Sequence, residues 1–412
     1  MADRDRRVPA GPDTVYSICS ISKLFTAIAV MQERDAGRLR LDDPVSRHLP
    51  WFSIAPAVPG SGEVTVGALL THSSGLPRET GHAYWTGPDF TFPTADAVRA
   101  RQAGRTALYA ADTYFQYSNY GLTLAGEVAA ATAGVPYDAL VQARILTPIG
   151  LTSTFTHMRA AREAGRLATG HGTITREGTR AAAPFFDAEG VGPAAGFASS
   201  AADLSRFASW QFRLLRTGTT EVLAANTLRE MQRVHWVDPD FSVSRGLGFR
   251  VWRNQDRTFV GHSGSCPGFR AELLLKPDER IAVALLANAQ GVDTGTLAQS
   301  AYDLVAPAIR EATREGASPP ARDSALAAYV GTYASGFAGE TAIVAWEDGL
   351  ATFALPDDEP VQNLAKLRKT GPHTFRRVRK DGTLAEEIVF EMGPDGRASR
   401  LIRHDNHYAR VK

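Results

Sequence analysis

The sequence predicts an α+β unit followed by a smaller all-β unit, and three observations carry that reading. The stretch from about 65 to 240 is mostly helical in its periodicity. From Gly246 onward the texture changes to short strand-like runs, "GLGFRVW", "RTFVGHSGS", "RAELLLK" and "RIAVALLAN", the last two joined by a "PDE" turn. Beyond a Pro-rich "ASPPARDS", the segment 323–412 holds strand-like runs separated by "EDG", "KTG", "KDG" and "PDG". Helices and antiparallel strands thus occupy separate stretches, the pattern of an α+β fold.

Each element follows in order. "YSICSISKLFTAIAVMQERDAG", residues 16–37, reads as one amphipathic helix closed by Gly37. "RLRLDDPVSRHLP" reads as loop and turn. "HAYWTGPDFTFPT" is aromatic and rich in Gly and Pro, so a long loop is expected there. "YGLTLAGEVAAATAG" is an apolar helix ended by Gly134, and "SAADLSRFASWQFRLL" is a helix opened by Ser200 and Asp203 in a capping-box-like arrangement. Residues 246–287 should supply three main strands of an antiparallel sheet. A helix returns in "DTGTLAQSAYDLVAPAIREATREG". The expected domains are 1–312, a linker at 313–322, and a small sandwich or barrel over 323–412.

Composition narrows the function classes. At 412 residues the chain is long enough for two or three domains, and 44% hydrophobic with 22% charged residues is ordinary for a globular protein. The formal charge of +1, with no basic cluster, gives no footprint for nucleic acid or a polybasic membrane anchor. The longest apolar run, "IAVALLA" at 281–287, is far short of a membrane span. No signal-peptide pattern opens the chain, so a cytoplasmic location is expected of the sequence as written. Cys19 and Cys266 cannot make a disulfide framework.

One lysine stands out. The sequence has 39 arginines and 6 lysines, and Lys23 is the only lysine among the first 275 residues. It follows Ser20 at i, i+3, so the two share a helix face. A serine at a helix N-terminus sits at the positive end of the dipole, and a lysine one turn on can act as its base if burial lowers its pKa. Arginine cannot give up its proton, so the position calls for lysine. The spacing alone is weak, because a solvated helix face would also produce it. Two further pairs strengthen it: "FQYSNYG" places Tyr117 and Asn119 two apart before a helix, and "FVGHSGSCPGF" places His262 and Gly264 two apart on an expected strand.

In that chain order the three pairs resemble the S-x-x-K, Y-x-N and H-x-G motifs of penicillin-recognising serine hydrolases. That group includes class C β-lactamases, D,D-peptidases, D-aminopeptidases and family VIII carboxylesterases. "LTHSSGLP" at 70–77, "LDDPVSRHLP" at 41–50 and "GFASSAADLSRF" at 196–207 support the resemblance, which covers roughly 11–312. It implies the serine β-lactamase/D,D-peptidase-like fold and an acyl-enzyme mechanism on amides or esters, with no cofactor and no metal. Ser20 would be the nucleophile, Lys23 its base, Tyr117 a proton shuttle and Asn119 a partner of the substrate amide. The backbone N–H groups of Ser20 and Ser265, beside Gly264, would form the oxyanion hole.

The implied activity is that of a D-amino-acid peptidase, amidase or carboxylesterase; the alternatives are an inactive penicillin-binding-type sensor or a true β-lactamase. Partners would be a small-molecule or peptide substrate and, in some form, a homo-oligomer. "YVGTYAS" at 329–335 resembles the opening of a lipocalin-like barrel appended to some of these enzymes. His262 stands where many members carry lysine, which weakens the case for an obligatory anionic substrate. Only 19 residues precede Ser20, fewer than the family's initial helix and strands need, so a late start or truncation is expected. Cys19 and Cys266 adjoin the two proposed oxyanion donors and are expected as reduced, buried thiols. "GHSGS" at 261–265 misses the G-x-S-x-G elbow by one residue, and the Pro267–Gly268 that follows argues against the helix an elbow needs. "HDNH" at 404–407 reads as the end of a strand more readily than as a metal pair.

Overall fold

The computed structural model describes residues 1–102, 104–254, 256–313, 324–336, 339–347, 349–357, 363–379 and 381–411. They fall into two compact units, Met1–Ile309 and Arg310–Lys412. The linker expected at 313–322 lies, after its first residue, outside the described residues.

In the first unit the stretch expected to be one helix divides in three. Strand β1 (Val15–Ser17) pairs with β2 (Ala198–Ser200), a 3-10 turn spans Cys19–Ile21, and helix α1 runs over Ser22–Asp35. The break comes at Cys19, whose φ of +49° no helix accommodates. Nor is α1 amphipathic in its first turns: every residue from Ser22 to Met31 is buried. Phe25 stacks between Phe197 and Phe207, at centroid distances of 5.1 and 4.6 Å. A helix buried all round is a core element, which holds its N-terminal turn rigidly.

Helix α2 (Asn119–Ala133) is opened by Ser118, whose hydroxyl accepts from Gly121 N, and closed by left-handed Gly134. Helix α3 (Ala201–Thr217) is capped by Ser200 through Asp203 N. The stop at Gly134 and the start at Ser200 were legible, because capping chemistry is local. The rest of 65–240 is less helical than its composition suggests: short helices alternate with long loops, including the aromatic-rich one before Ala95. That loop is pinned by stacking among Tyr84, Trp85, Phe92 and Phe186.

The sheet is larger than the three strands expected. Six antiparallel strands run in sequence order: β3 (Trp236–Val237), β4 (Ser244–Arg245), β5 (Arg250–Asn254), β6 (Arg257–Cys266), β7 (Phe269–Lys276) and β8 (Ile281–Ala287). Four are long and two are two-residue stubs that polar composition hid. The run "GLGFRVW" starts its strand late because Gly248, at φ +78°, turns against α1; a Cβ there would lie 2.4 Å from Ala27 Cβ. Helix α4 (Thr294–Thr313) lays Tyr302 and Ala306 against Phe259, Leu274 and Ile281 of the sheet. Among the described residues no helix is long and apolar enough to cross a membrane.

The second unit is a closed eight-stranded antiparallel barrel from β9 (Gly331–Ser335) to β16 (Asn406–Arg410), the first strand pairing with the last at Tyr333↔Arg410. Closure leaves no edge strand. Its interior is filled by Tyr329, Tyr333, Phe375, Ile388, Phe390, Leu401 and Tyr408. "HDNH" spans the reversal between Ala398–Arg403 and β16, with His404 and Asp405 in the turn at φ +51° and +59° and Asn406 and His407 opening β16.

Candidate active site

Residues far apart in sequence converge on the N-terminal end of α1. The 3-10 turn lifts Ser20 to the surface of a cleft of about 800 Å3 lined by Arg78, Tyr117, Phe241, Arg245, Arg250 and His262. Lys23, one turn on, is fully buried. Its Nζ lies 3.0 Å from Ser20 Oγ, 2.8 Å from Asn119 Oδ1 and 2.7 Å from the carbonyl of Ala194. Burial pushes its pKa well below the usual lysine range; Glu79 pulls it part of the way back up, and Arg78 opposes that. Two of the three acceptors are carbonyl oxygens, which can only accept. A neutral amine satisfies both with its two N–H groups and turns its lone pair to Ser20 Oγ–H. The arrangement can deprotonate the serine.

Tyr117 is held over this pair. Lys23 Nζ and the Arg78 guanidinium each lie 4.9 Å from its ring centroid, and His72 packs at 4.4 Å. Burial raises its phenol to about 12, against a hydrogen bond to Ser20 and the charges of Arg78 and Arg245 that pull it down. It is therefore a neutral phenol at physiological pH, able to pass a proton but not to act as a standing base. His72, from "LTHSSGLP", explains that motif: its Nδ1 accepts from Ser118 N and its carbonyl from Gln116 N. It braces the turn that carries Tyr117 and Asn119. Asn119 is the first residue of α2, and Ser118, not Asn119, is the cap.

The third motif lies on β6. His262 is buried, and its Nδ1–H donates to the carbonyl of Ser263 at 2.7 Å, leaving Nε2 unprotonated. Burial, then the nearby Lys23, lowers its pKa to about 3, so the ring is neutral. Gly264 has a steric reason: a Cβ there would lie 2.3 Å from the carbonyl oxygen of Ile18. Its absence lets β6 press against the turn that holds Ser20, with Ser265 next along the strand and exposed at the cleft. "GHSGS" sits inside β6 and leads through Pro267–Gly268 into β7, so it is not a nucleophile elbow.

The same close approach corrects the expectation for the cysteines. Cys19 and Cys266 are joined in a disulfide, with Cα atoms 5.8 Å apart, and neither is a free thiol. The hole geometry was expected to forbid the bond. Gly264 instead brings the strand within bridging distance without displacing the turn.

Several residues escaped the sequence reading. Glu79, directly after "LTHSSGLP" and Arg78, receives Asn119 Nδ2 on both oxygens at 3.1 and 3.0 Å. Arg245 and Arg250 bring positive charge to the cleft from β4 and β5. Arg245 packs its guanidinium 4.6 Å from the Phe115 centroid, and its Nε is buried without a hydrogen-bond partner among the described residues. Nothing marks these two among 39 arginines. Glu79 had a signal in its place beside a quoted motif.

The family model described as Beta-lactamase matches residues 1–306. The chain belongs to that family. A β-lactamase-family relative, Penicillin-binding protein 4 of Amycolatopsis lactamdurans, is 30% identical over 341 residues, covering 80% of this chain and 87% of its own length. The chain spans about half the length of other curated relatives it matches. Among solved structures, the octameric penicillin-binding protein homologue from Pyrococcus abyssi aligns with a TM-score of 0.65 at 24% identity, over 99% of this chain and 91% of that one. The D-amino acid amidase from Ochrobactrum anthropi SV3 aligns with a TM-score of 0.61 at 23% identity, over 76% and 89%.

Proposed function

We propose that this β-lactamase-family enzyme is a serine hydrolase that cleaves amides through an acyl-enzyme on Ser20. The observation that carries the reading is Lys23: buried, facing two carbonyl acceptors and Ser20 Oγ at 3.0 Å. As Ser20 Oγ bonds to the acyl carbon, its proton passes to Lys23. Collapse of the tetrahedral adduct breaks the C–N bond, and Tyr117 gives its proton to the departing amine and regains one from Lys23. Water then attacks the ester by the reverse route, returning the proton to Ser20. The N–H groups of Ser20 and Ser265 would receive the oxyanion. An inert sensor of the same fold has no need of a lysine buried against a serine hydroxyl, and that favours the enzyme. The likeness to the D-amino acid amidase from Ochrobactrum anthropi SV3 supports amides as the bond class.

The charge of the substrate is a finer matter. A neutral His262 by itself favours uncharged acyl donors. Arg245 and Arg250 supply the charge from another part of the sheet, so the reading extends to amides that carry a carboxylate. Burial and the neighbouring Arg250 lower Arg245 only to about 10, which keeps it a cation. Paired kinetics on a D-amino acid amide, a D-Ala dipeptide, a penicillin and a short ester test this. Ser20→Ala should abolish every activity. Arg245→Ala should cost about tenfold to a hundredfold in kcat/KM on the carboxylate-bearing donors, the worth of a charged hydrogen bond, and less on the ester. Equal losses on both would remove the carboxylate from the reading.

A further inference from the structure

Asn119 has a carboxamide that could be turned either way, and the relay works in only one of them. Its Oδ1 must face Lys23 Nζ, a donor, so its Nδ2 must face an acceptor. Glu79 supplies that acceptor on both oxygens. A carboxylate cannot donate, so the reversed carboxamide would set two acceptors against each other on one side and two donors on the other. Glu79 is itself fixed, receiving the phenol of fully buried Tyr84 and, at 3.0 Å, Arg78 Nε. Neither Tyr84 nor Glu79 lines the catalytic cleft.

Resting on the reading of Ser20 and Lys23 as the acylating pair, we propose that Glu79 is a positioning residue for the reaction: its carboxylate locks Asn119 in the orientation that serves Lys23 and sets the charge felt by the base one residue away. The chain Tyr84–Glu79–Asn119–Lys23–Ser20 is then one hydrogen-bonded line from the core to the nucleophile. Glu79 is the only anion in it. Other groups around Lys23 are Arg78 on the same loop, Tyr117 before α2, His72 beneath Tyr117 and His262 on β6, while the turn at Gly192–Ala195 brings only the Ala194 carbonyl. Of these Arg78 is a cation, His72 and His262 are neutral rings, and Tyr117 is a neutral phenol. Among the described residues around Lys23, Glu79 thus provides the one full negative charge that opposes the effect of burial.

The sign follows. Replacing Glu79 by glutamine removes the negative charge and eases loss of the proton from Lys23, so the acidic limb of activity moves to lower pH. The carboxamide of the substituted side chain also offers Asn119 a donor or an acceptor, so Asn119 is no longer locked and the rate falls.

The test uses the full chain and a fluorophosphonate probe, which reads Ser20 reactivity without a known substrate. In Glu79→Gln the labelling rate should fall about tenfold to a hundredfold, the usual cost of a misplaced relay group. Its acidic limb should lie at lower pH than in the wild type, a change that a purely structural role would not produce. Adding Asn119→Ala to Glu79→Ala should cost little more than either change alone, because the two act through one contact. An unchanged rate with an unmoved limb in Glu79→Gln, or additive losses in the double variant, overturns the proposal. Absence of labelling in the wild type would instead remove the acylating-pair reading. A crystal structure of Glu79→Ala decides the positioning claim independently of activity: the carboxamide of Asn119 should turn from Lys23, and one that keeps its place overturns it.

Discussion

Lys23 and His262 lie in the same buried neighbourhood, where transfer from water penalises the ionic form of each and lowers both pKa values. The consequence differs. For Lys23 it eases loss of the proton, as the proposed base requires; for His262 it removes a switch. On composition alone, His262 would titrate near neutral pH and let acidity restore a preference for anionic substrates. With its pKa at about 3, it does not change charge where the enzyme is measured. The ratio of kcat/KM for a carboxylate-bearing donor to that for a neutral ester should therefore show no step between about pH 5 and about pH 8, the range over which an ordinary histidine titrates. A step centred near the usual histidine value would mean that the ring is solvated. Ser20, Lys23, Tyr117 and His262 could be singled out because they stand in pairs at fixed spacings in a fixed chain order. Their charge states were not visible, since those depend on what surrounds them.

At the scale of elements, α1 does most of the positioning. Its N-terminal turn presents Ser20, and its other end is anchored by Glu33, which is fully buried and receives Arg38 at 2.6 and 2.8 Å and Arg144 at 2.6 Å. Removing the carboxylate in Glu33→Ala breaks three hydrogen bonds and empties a buried site, while Arg38 and Arg144, 42% and 39% exposed, keep access to water. A loss of about 1–3 kcal/mol is expected, the range for hydrogen bonds to a charged group whose partners can turn to solvent. Urea unfolding of the two proteins measures it, and a change within error would contradict it. Helix ends at Gly134, Ser200 and Gly37 could be read from sequence because caps are local chemistry. The strand, turn and helix within 16–37 could not, because the break at Cys19 comes from β1 pairing with β2, nearly 200 residues away. Likewise the two stub strands β3 and β4 owe their existence to the sheet they extend.

On the scale of the whole molecule, the first unit brings together a turn near the N-terminus, a loop before α2 and a strand near residue 262, and the disulfide Cys19–Cys266 fastens the first to the last. No local pattern could reveal that bond, since its partners are 247 residues apart and meet only after the sheet has packed on α1. Denaturation without reductant should therefore expose no reactive thiol. Reduction should destabilise the protein by about 2–4 kcal/mol, the usual range for a native disulfide. Two reactive thiols per chain before reduction would contradict the bond. The barrel was legible as an all-β unit from its turns, but barrel and sandwich share those turns; closure of β9 on β16 is a property of the set of strands.

The central claim is that Ser20, activated by Lys23, carries the acyl group, and the mass of the trapped intermediate tests it most directly. A slow acyl donor, a penicillin or an activated ester, is mixed with the protein, quenched in acid and mapped by peptide mass. One adduct is expected, on the peptide that contains Ser20, absent in Ser20→Ala and strongly reduced in Lys23→Ala. An adduct on the peptide containing Ser263, or turnover that persists in Ser20→Ala, would contradict the claim.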